Sequence, residues 1–286
     1  MSKKHPTKQS KPKQSGTNWP WLFRIRPKVL VWSIVAWVVF AWLLFLSVDI
    51  WQIINLGNER PMWSLLFNDR PVEWTQWFLF AFAITMSGYL AARLDVAQRQ
   101  MAAKFFLLFS IGLGLMMIED AGDIRHTLSW EIQRIVGDTI FGLPYRSMVD
   151  LPYFALLATV PLYTVIRYGR YIWPEVAVRR YFTASVILYA IASIGSGARY
   201  FGDFYQRTGA WIDNNLMSGR FPMKENDSQE TTHLLLIDSP IEESIETIAI
   251  TLLIAGILTY ALRFRTGQLL PEKPPKKHIH KSKPKA

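Results

Sequence analysis

Six apolar stretches, at about 29–48, 74–92, 105–118, 151–166, 181–198 and 244–262, recur along the chain and are separated by loops whose charges are sorted by side. Crossing roughly 30 Å of hydrocarbon takes about 20 helical residues, and in lipid a helix satisfies its own backbone polar groups. The stretch from Val29 to Val48 meets that length outright. The others carry small or hydroxylated residues, among them Ser87, Gly88, Gly112, Gly114, Ser193, Gly195, Ser196 and Gly197, of the kind that lets helices approach closely in lipid. The pattern predicts an all-α fold, a polytopic integral membrane bundle of about six transmembrane helices. Composition agrees, since a chain of 286 residues that is 50% hydrophobic and holds 12 Trp has too little polar surface for a soluble domain. The expected organisation is a basic tail over 1–28, a six-helix membrane domain over 29–263 and a second basic tail over 264–286.

Orientation follows from the basic residues, which are retained on the cytoplasmic side of a membrane. Residues 1–28, 93–104, 167–180 and 263–286 lie on one side if each apolar stretch crosses once, and they hold 23 of the 32 Lys and Arg. This places both the N- and the C-terminus in the cytoplasm, in a multi-pass protein of the plasma membrane, expected to be a bacterial cytoplasmic (inner) membrane. Of the 22 Asp and Glu, only Asp95, Glu175 and Glu272 fall on that same side. Acids barely influence insertion, so their accumulation at the opposite face calls for a different cause.

The tails combine Lys with Pro and are expected to be disordered, held to anionic lipid headgroups at about 1 kcal/mol per basic residue. The lipid bilayer is thus the first partner. Nucleic acid is not expected, because the Lys-rich tracts carry no interleaved aromatics, and Trp19 and Trp21 suit the interface belt of a membrane. His278 and His280 form too short a tract for a specific metal site. The absence of Cys removes disulfides, thiolate metal sites and cysteine nucleophiles. No phosphate-binding loop, zincin or serine-elbow motif is present, so neither nucleotide nor haem is indicated.

A length of about 20 residues measured from each cytoplasmic Arg or Lys brings ionisable groups of at least five helices to one depth near the outer boundary. They are Glu73, the Glu119, Asp120 and Asp123 group, Asp150, Arg199 and Glu246, with Glu242 and Glu243 at the rim. Glu119, Asp123 and His126 stand at i, i+4 and i+7, and Asp238, Glu242 and Glu246 at i, i+4 and i+8, so each set shares a helix face. Glu242 has a local explanation: Ser239-Pro240-Ile241-Glu242 has the form of a capping box with Pro at the first helical position. Glu73, just after Pro71, has a similar one. Glu246 has none, and charged groups in membrane helices usually face a wet interior and mark function.

The residues expected to hold a divalent metal ion are therefore Glu119, Asp123, His126 and Glu246, with Asp120, Glu242, Glu243 and Glu73 as secondary candidates. A structural network with Arg125, Arg146 or Arg199 is the alternative. Ile132, Ile135, Val136 and Ile140 have helical spacing and predict an interfacial helix over the cluster, whereas Lys224 to His233 reads as mobile. Three functions fit: metal-dependent hydrolysis of a lipid or envelope substrate, which leads; a cation- or proton-coupled transporter or channel; and a non-catalytic subunit whose acidic mouth docks a protein partner.

Overall fold

The computed structural model describes residues 19–55, 60–68, 71–223 and 228–269. Most of both tails, including His278 and His280, lies outside the described residues, as does 224–227. The helices in chain order are α1 (Pro27–Phe45), α2 (Met62–Phe67), α3 (Pro71–Val96), α4 (Gln100–Gly122), α5 (Ile124–Val136), α6 (Tyr145–Tyr168), α7 (Val176–Ala198), α8 (Phe204–Leu216), α9 (Gln229–Leu236) and α10 (Glu242–Arg265). A two-residue hairpin, Thr139–Ile140 against Leu143–Pro144, joins α5 to α6. Among the described residues six helical segments are long and apolar enough to cross a membrane, and each coincides with one of the six apolar stretches. The protein is an all-α, multi-pass helical bundle.

Neighbouring helices follow α3, α4, α6, α7 and α10 around a ring that closes where α10 meets α3, and α1 packs on the outside of α10. α10 is the most enclosed span, while the α1 and α6 spans are the most exposed. The exposed side chains of the latter two include Trp32, Leu156 and Ile166, as suits surfaces solvated by lipid. Close approach is bought by small residues: a Cβ on Gly112 of α4 would lie 2.9 Å from the ring of Pro161, which sits inside α6. Proline within a helix is tolerated in membranes because neighbours and local adjustments re-satisfy the backbone.

One end of the bundle is basic and the other acidic. Towards the basic end, Phe105, Phe106, Phe109, Phe182 and Tyr260 stack with ring centroids 5.0–5.7 Å apart and fill the ring of helices. Trp19 packs edge-on to Phe23, Tyr89 and Phe264, with Arg93 over its ring. Trp19 is therefore a core residue of this end, while Trp21 is exposed as an interface residue would be. Arg263 and Glu175 form an ion pair there.

At the acidic end a second core gathers Phe45, Trp63, Phe67, Phe221 and Leu236 from α1, α2, α9 and the segment after α8. The α1 helix ends in a π-helical turn, Leu46–Ile50, which presents Asp49 to the backbone N–H groups of Met62 and Trp63, both at 3.0 Å. These otherwise unpaired donors at the start of α2 are thereby capped.

Three expectations need correction here. Residues 229–236 are helical, not mobile, and Ser228 caps them by accepting the Thr231 N–H at 3.2 Å. Ser239 does not cap a helix, because α9 runs into α10 through a second π-helical turn, Ile237–Ile241, that contains Pro240. The wider turn accommodates a proline that an α-helical interior would resist. Glu242 therefore belongs to a continuous helical segment. A helix is present where one was expected, as α5, but Ile140 lies beyond it in the hairpin.

Candidate cation-binding site

The acidic end is organised by a break in one helix. α4 carries Glu119 and Asp120 in its last turn and stops at Asp123, whose φ of +47° and ψ of 37° place it in the left-handed region. Asp and Asn enter that region more readily than other residues with a Cβ. The break redirects the chain into α5, so Glu119, Asp123 and His126 do not form a stripe on one straight helix face, contrary to their spacing.

Arg125, at the start of α5, reaches back across this corner. Its Nη1 donates to Asp150 at 3.0 Å, its Nε stands 3.6 Å from Glu119, and its guanidinium lies 4.7 Å from the Phe154 ring centroid. Ser129 donates to the other Asp150 oxygen at 3.4 Å. Asp150, nearly inaccessible, is thereby satisfied, and α5 is tied to the first turns of α6.

His126 donates from Nδ1 to Asp123, and Arg199 Nη2 donates to His126 Nε2 at 3.2 Å. A guanidinium only donates, so Nε2 is the acceptor in this contact and Nδ1 the donor. Arg199 Nη1 pairs with Asp238. Burial opposes charge on Arg199, but Asp238, Tyr200 and Glu242 outweigh it and raise its pKa. A chain Asp123, His126, Arg199, Asp238 thus runs from the α4/α5 corner through the end of α7 to the π-helical turn before α10.

On the far side, Gln76 of α3 donates to Glu246 of α10 at 2.8 Å and lies 3.5 Å from Asp120 of α4, while Trp77 Nε1 donates to Asp120 at 3.0 Å. Tyr205 of α8 donates to Glu242 at 3.4 Å. Its phenol lies well above its ordinary pKa because it is buried and faces the Glu242 and Asp238 carboxylates. A Cβ at Gly195 would fall 2.6 Å from the Tyr205 hydroxyl, so that glycine makes room for the contact.

Between these groups lies a cavity of about 390 Å³. Glu73, Glu119, Asp120, Asp123, Asp238, Glu242, Glu243 and Glu246 all line it, with two guanidinium groups, Arg125 and Arg199, and the His126 imidazole. All eight residues expected at a metal or its margin are accordingly brought to one chamber. They are not brought into one ligand cage: among the described residues no group of three or more His, Asp or Glu is arranged to hold a metal ion. Glu119 is engaged by Arg125, His126 by Asp123 and Arg199, and Glu246 by Gln76. A second cavity of about 540 Å³ adjoins the first and shares Asp123, His126, Arg199, Leu235 and Asp238 with it. We refer to it as the vestibule.

Sequence reasoning missed Gln76, Trp77, Tyr205 and Ser239. Gln76 carried a signal, since an amide one turn after Glu73 in an apolar span is unusual and usually faces a bundle interior. The other three become visible only through their tertiary neighbours. No known protein family, no curated protein and no solved structure matches this chain.

Proposed function

We propose that this membrane protein binds a cation in the chamber at its acidic end, on the side opposite the cytoplasm. One observation carries the reading: eight carboxylates from α3, α4, the α4/α5 corner, the π-helical turn and α10 face one cavity that, among the described residues, two guanidinium groups also line. Like charges held this close repel unless a cation or protons intervene, and ionisable groups gathered inside a membrane bundle usually mark function. The sidedness follows from the concentration of Lys and Arg at the other end.

A divalent ion held by Glu119, Asp123, His126 and Glu246 to activate water for hydrolysis has less support, because most of these side chains are already engaged by protein partners. The chamber volume suits a cation that brings its own hydrogen-bond donors, such as an ammonium group, better than a bare ion needing oxygens at about 2–2.6 Å.

The experiment is a ligand-dependent melting series on the full chain in detergent, with ionic strength held by tetramethylammonium chloride. Mg²⁺, Ca²⁺, Mn²⁺ and ethanolamine are added separately. Saturable stabilisation by at least one is expected, rising with the logarithm of concentration above Kd, and it should vanish in a Glu242→Gln/Glu246→Gln variant. Absence of any saturable shift overturns the proposal.

A further inference from the structure

The chamber and the vestibule adjoin but differ in electrostatic character. Arg146 lines the vestibule, and no carboxylate pairs with it among the described residues. Its Nε donates to the Tyr145 hydroxyl at 2.8 Å and its Nη1 to the Tyr200 hydroxyl at 2.6 Å, with the guanidinium 5.2 Å from the Tyr200 ring centroid. Two phenol oxygens fix its direction where no carboxylate does among the described residues, and a guanidinium so held is suited to receive a phosphate oxygen.

The chamber carries its own sign of a missing ligand. Ser239 is 6% exposed and Arg199 5% exposed, and both line the chamber. Ser239 Oγ and Arg199 Nε nonetheless have no hydrogen-bond partner among the described residues. Buried polar atoms are paired in native proteins in the great majority of cases; the Ser239 hydroxyl can accept from a ligand ammonium, whereas Arg199 Nε can only donate and so suits an anionic oxygen.

We infer that the two cavities together receive a zwitterion, with a primary ammonium among the chamber carboxylates and a phosphate held at Arg146 in the vestibule. The inference rests on the cation-binding reading above. A primary ammonium has three donors to offer carboxylates, which a quaternary one lacks. The phosphate takes the guanidinium that no carboxylate occupies, and the shared wall of Asp123, His126, Arg199 and Asp238 lies between the two ends. The same chemistry occurs free, as phosphoethanolamine, and at the headgroup of phosphatidylethanolamine.

The test is calorimetric titration of the full chain in detergent with phosphoethanolamine, ethanolamine and inorganic phosphate. Phosphoethanolamine should bind about tenfold or more tightly than ethanolamine, the effect of one added charge-assisted contact, and inorganic phosphate more weakly than either. Arg146→Gln should remove that advantage and Arg146→Lys should reduce it, and both should leave ethanolamine affinity unchanged, which also reports that the variants are folded. Mixed micelles then separate the sources. Displacement of ethanolamine by phosphatidylethanolamine but not by phosphatidylcholine assigns the headgroup, and displacement by the free compound alone assigns a soluble ligand. Ethanolamine binding with no gain for phosphoethanolamine on the unaltered chain, or a gain that survives in both Arg146 variants, overturns the zwitterion and leaves the cation site standing. If neither amine binds, the ammonium-binding step and the zwitterion both fall, and the metal-ion arms of the melting series decide the cation site separately.

Discussion

The two ends of this bundle are stabilised by different physics. At the basic end, rings from α4, α7 and α10 fill the space between helices, and the exceptions to apolar packing are few, chiefly the Arg263 and Glu175 pair near the surface. At the acidic end the helices break, widen into π-helical turns or stop, and side chains are joined by hydrogen bonds and ion pairs around open space. A membrane helix gains nothing from burying a Leu in protein that it would not gain in lipid, so the first end relies on packing alone. The second end holds charges that lipid would not solvate, so its partners are obligatory. A functional cavity belongs with the latter, because a network of obligatory partners can surround water where a packed core cannot.

The sharpest test removes one partner from the acidic network. Arg125→Met leaves Asp150 buried without its guanidinium and should cost about 3–5 kcal/mol, read as lost expression or early thermal unfolding in detergent. Arg125→Met combined with Asp150→Leu should recover most of it, because the cost arises from the stranded charge. Equal instability of the single and double variants would show that Arg125 acts by packing on Phe154, and the contrast between the ends would lose its basis.

Truncation at the basic end should cost less. Phe106→Ala, between Phe105 and Tyr260, should lower stability by about 2 kcal/mol, the cavity share of the usual aromatic truncation, since lipid already solvates the ring in the unfolded reference state. Denaturant titration in mixed micelles measures it. A loss as large as that for Arg125→Met would place the two ends under the same rule.

The smallest effect is expected at the chamber itself. Glu246→Gln keeps an oxygen to accept from Gln76 and removes one of eight clustered carboxyl groups, so stability should stay level or rise by less than about 1 kcal/mol. Melting of the apo protein checks this. A fall instead would mean that Glu246 is a structural partner whose charge the bundle requires.

How much of this is legible in the sequence depends on range. The six spans are, because each apolar stretch carries its length locally, and the acids are found at a common depth because helical rise converts residue count to distance. The α9 to α10 continuity is not. Ser239-Pro240-Ile241-Glu242 has every local mark of a helix start, and only a turn wide enough for Pro240 overrides it. The corner at Asp123 is equally hidden, since Asp tolerates a left-handed backbone without demanding it. Gln76 was readable in principle from its place in an apolar span, but its bridging of Glu246 and Asp120 depends on three helices meeting, which no spacing within one helix encodes.

The π-helical turn at Ile237–Ile241 fixes more than a local bend. It inserts one residue into the helical count, and one residue is about 100° of rotation, so it sets the face of α9 that lines the vestibule against the face of α10 that lines the chamber. The site is therefore sensitive to chain length at this point in a way it is not to side-chain identity. Two chains that share every acid of the chamber and every residue of the vestibule, yet differ by one residue between 237 and 241, would present those groups in different directions and build different cavities.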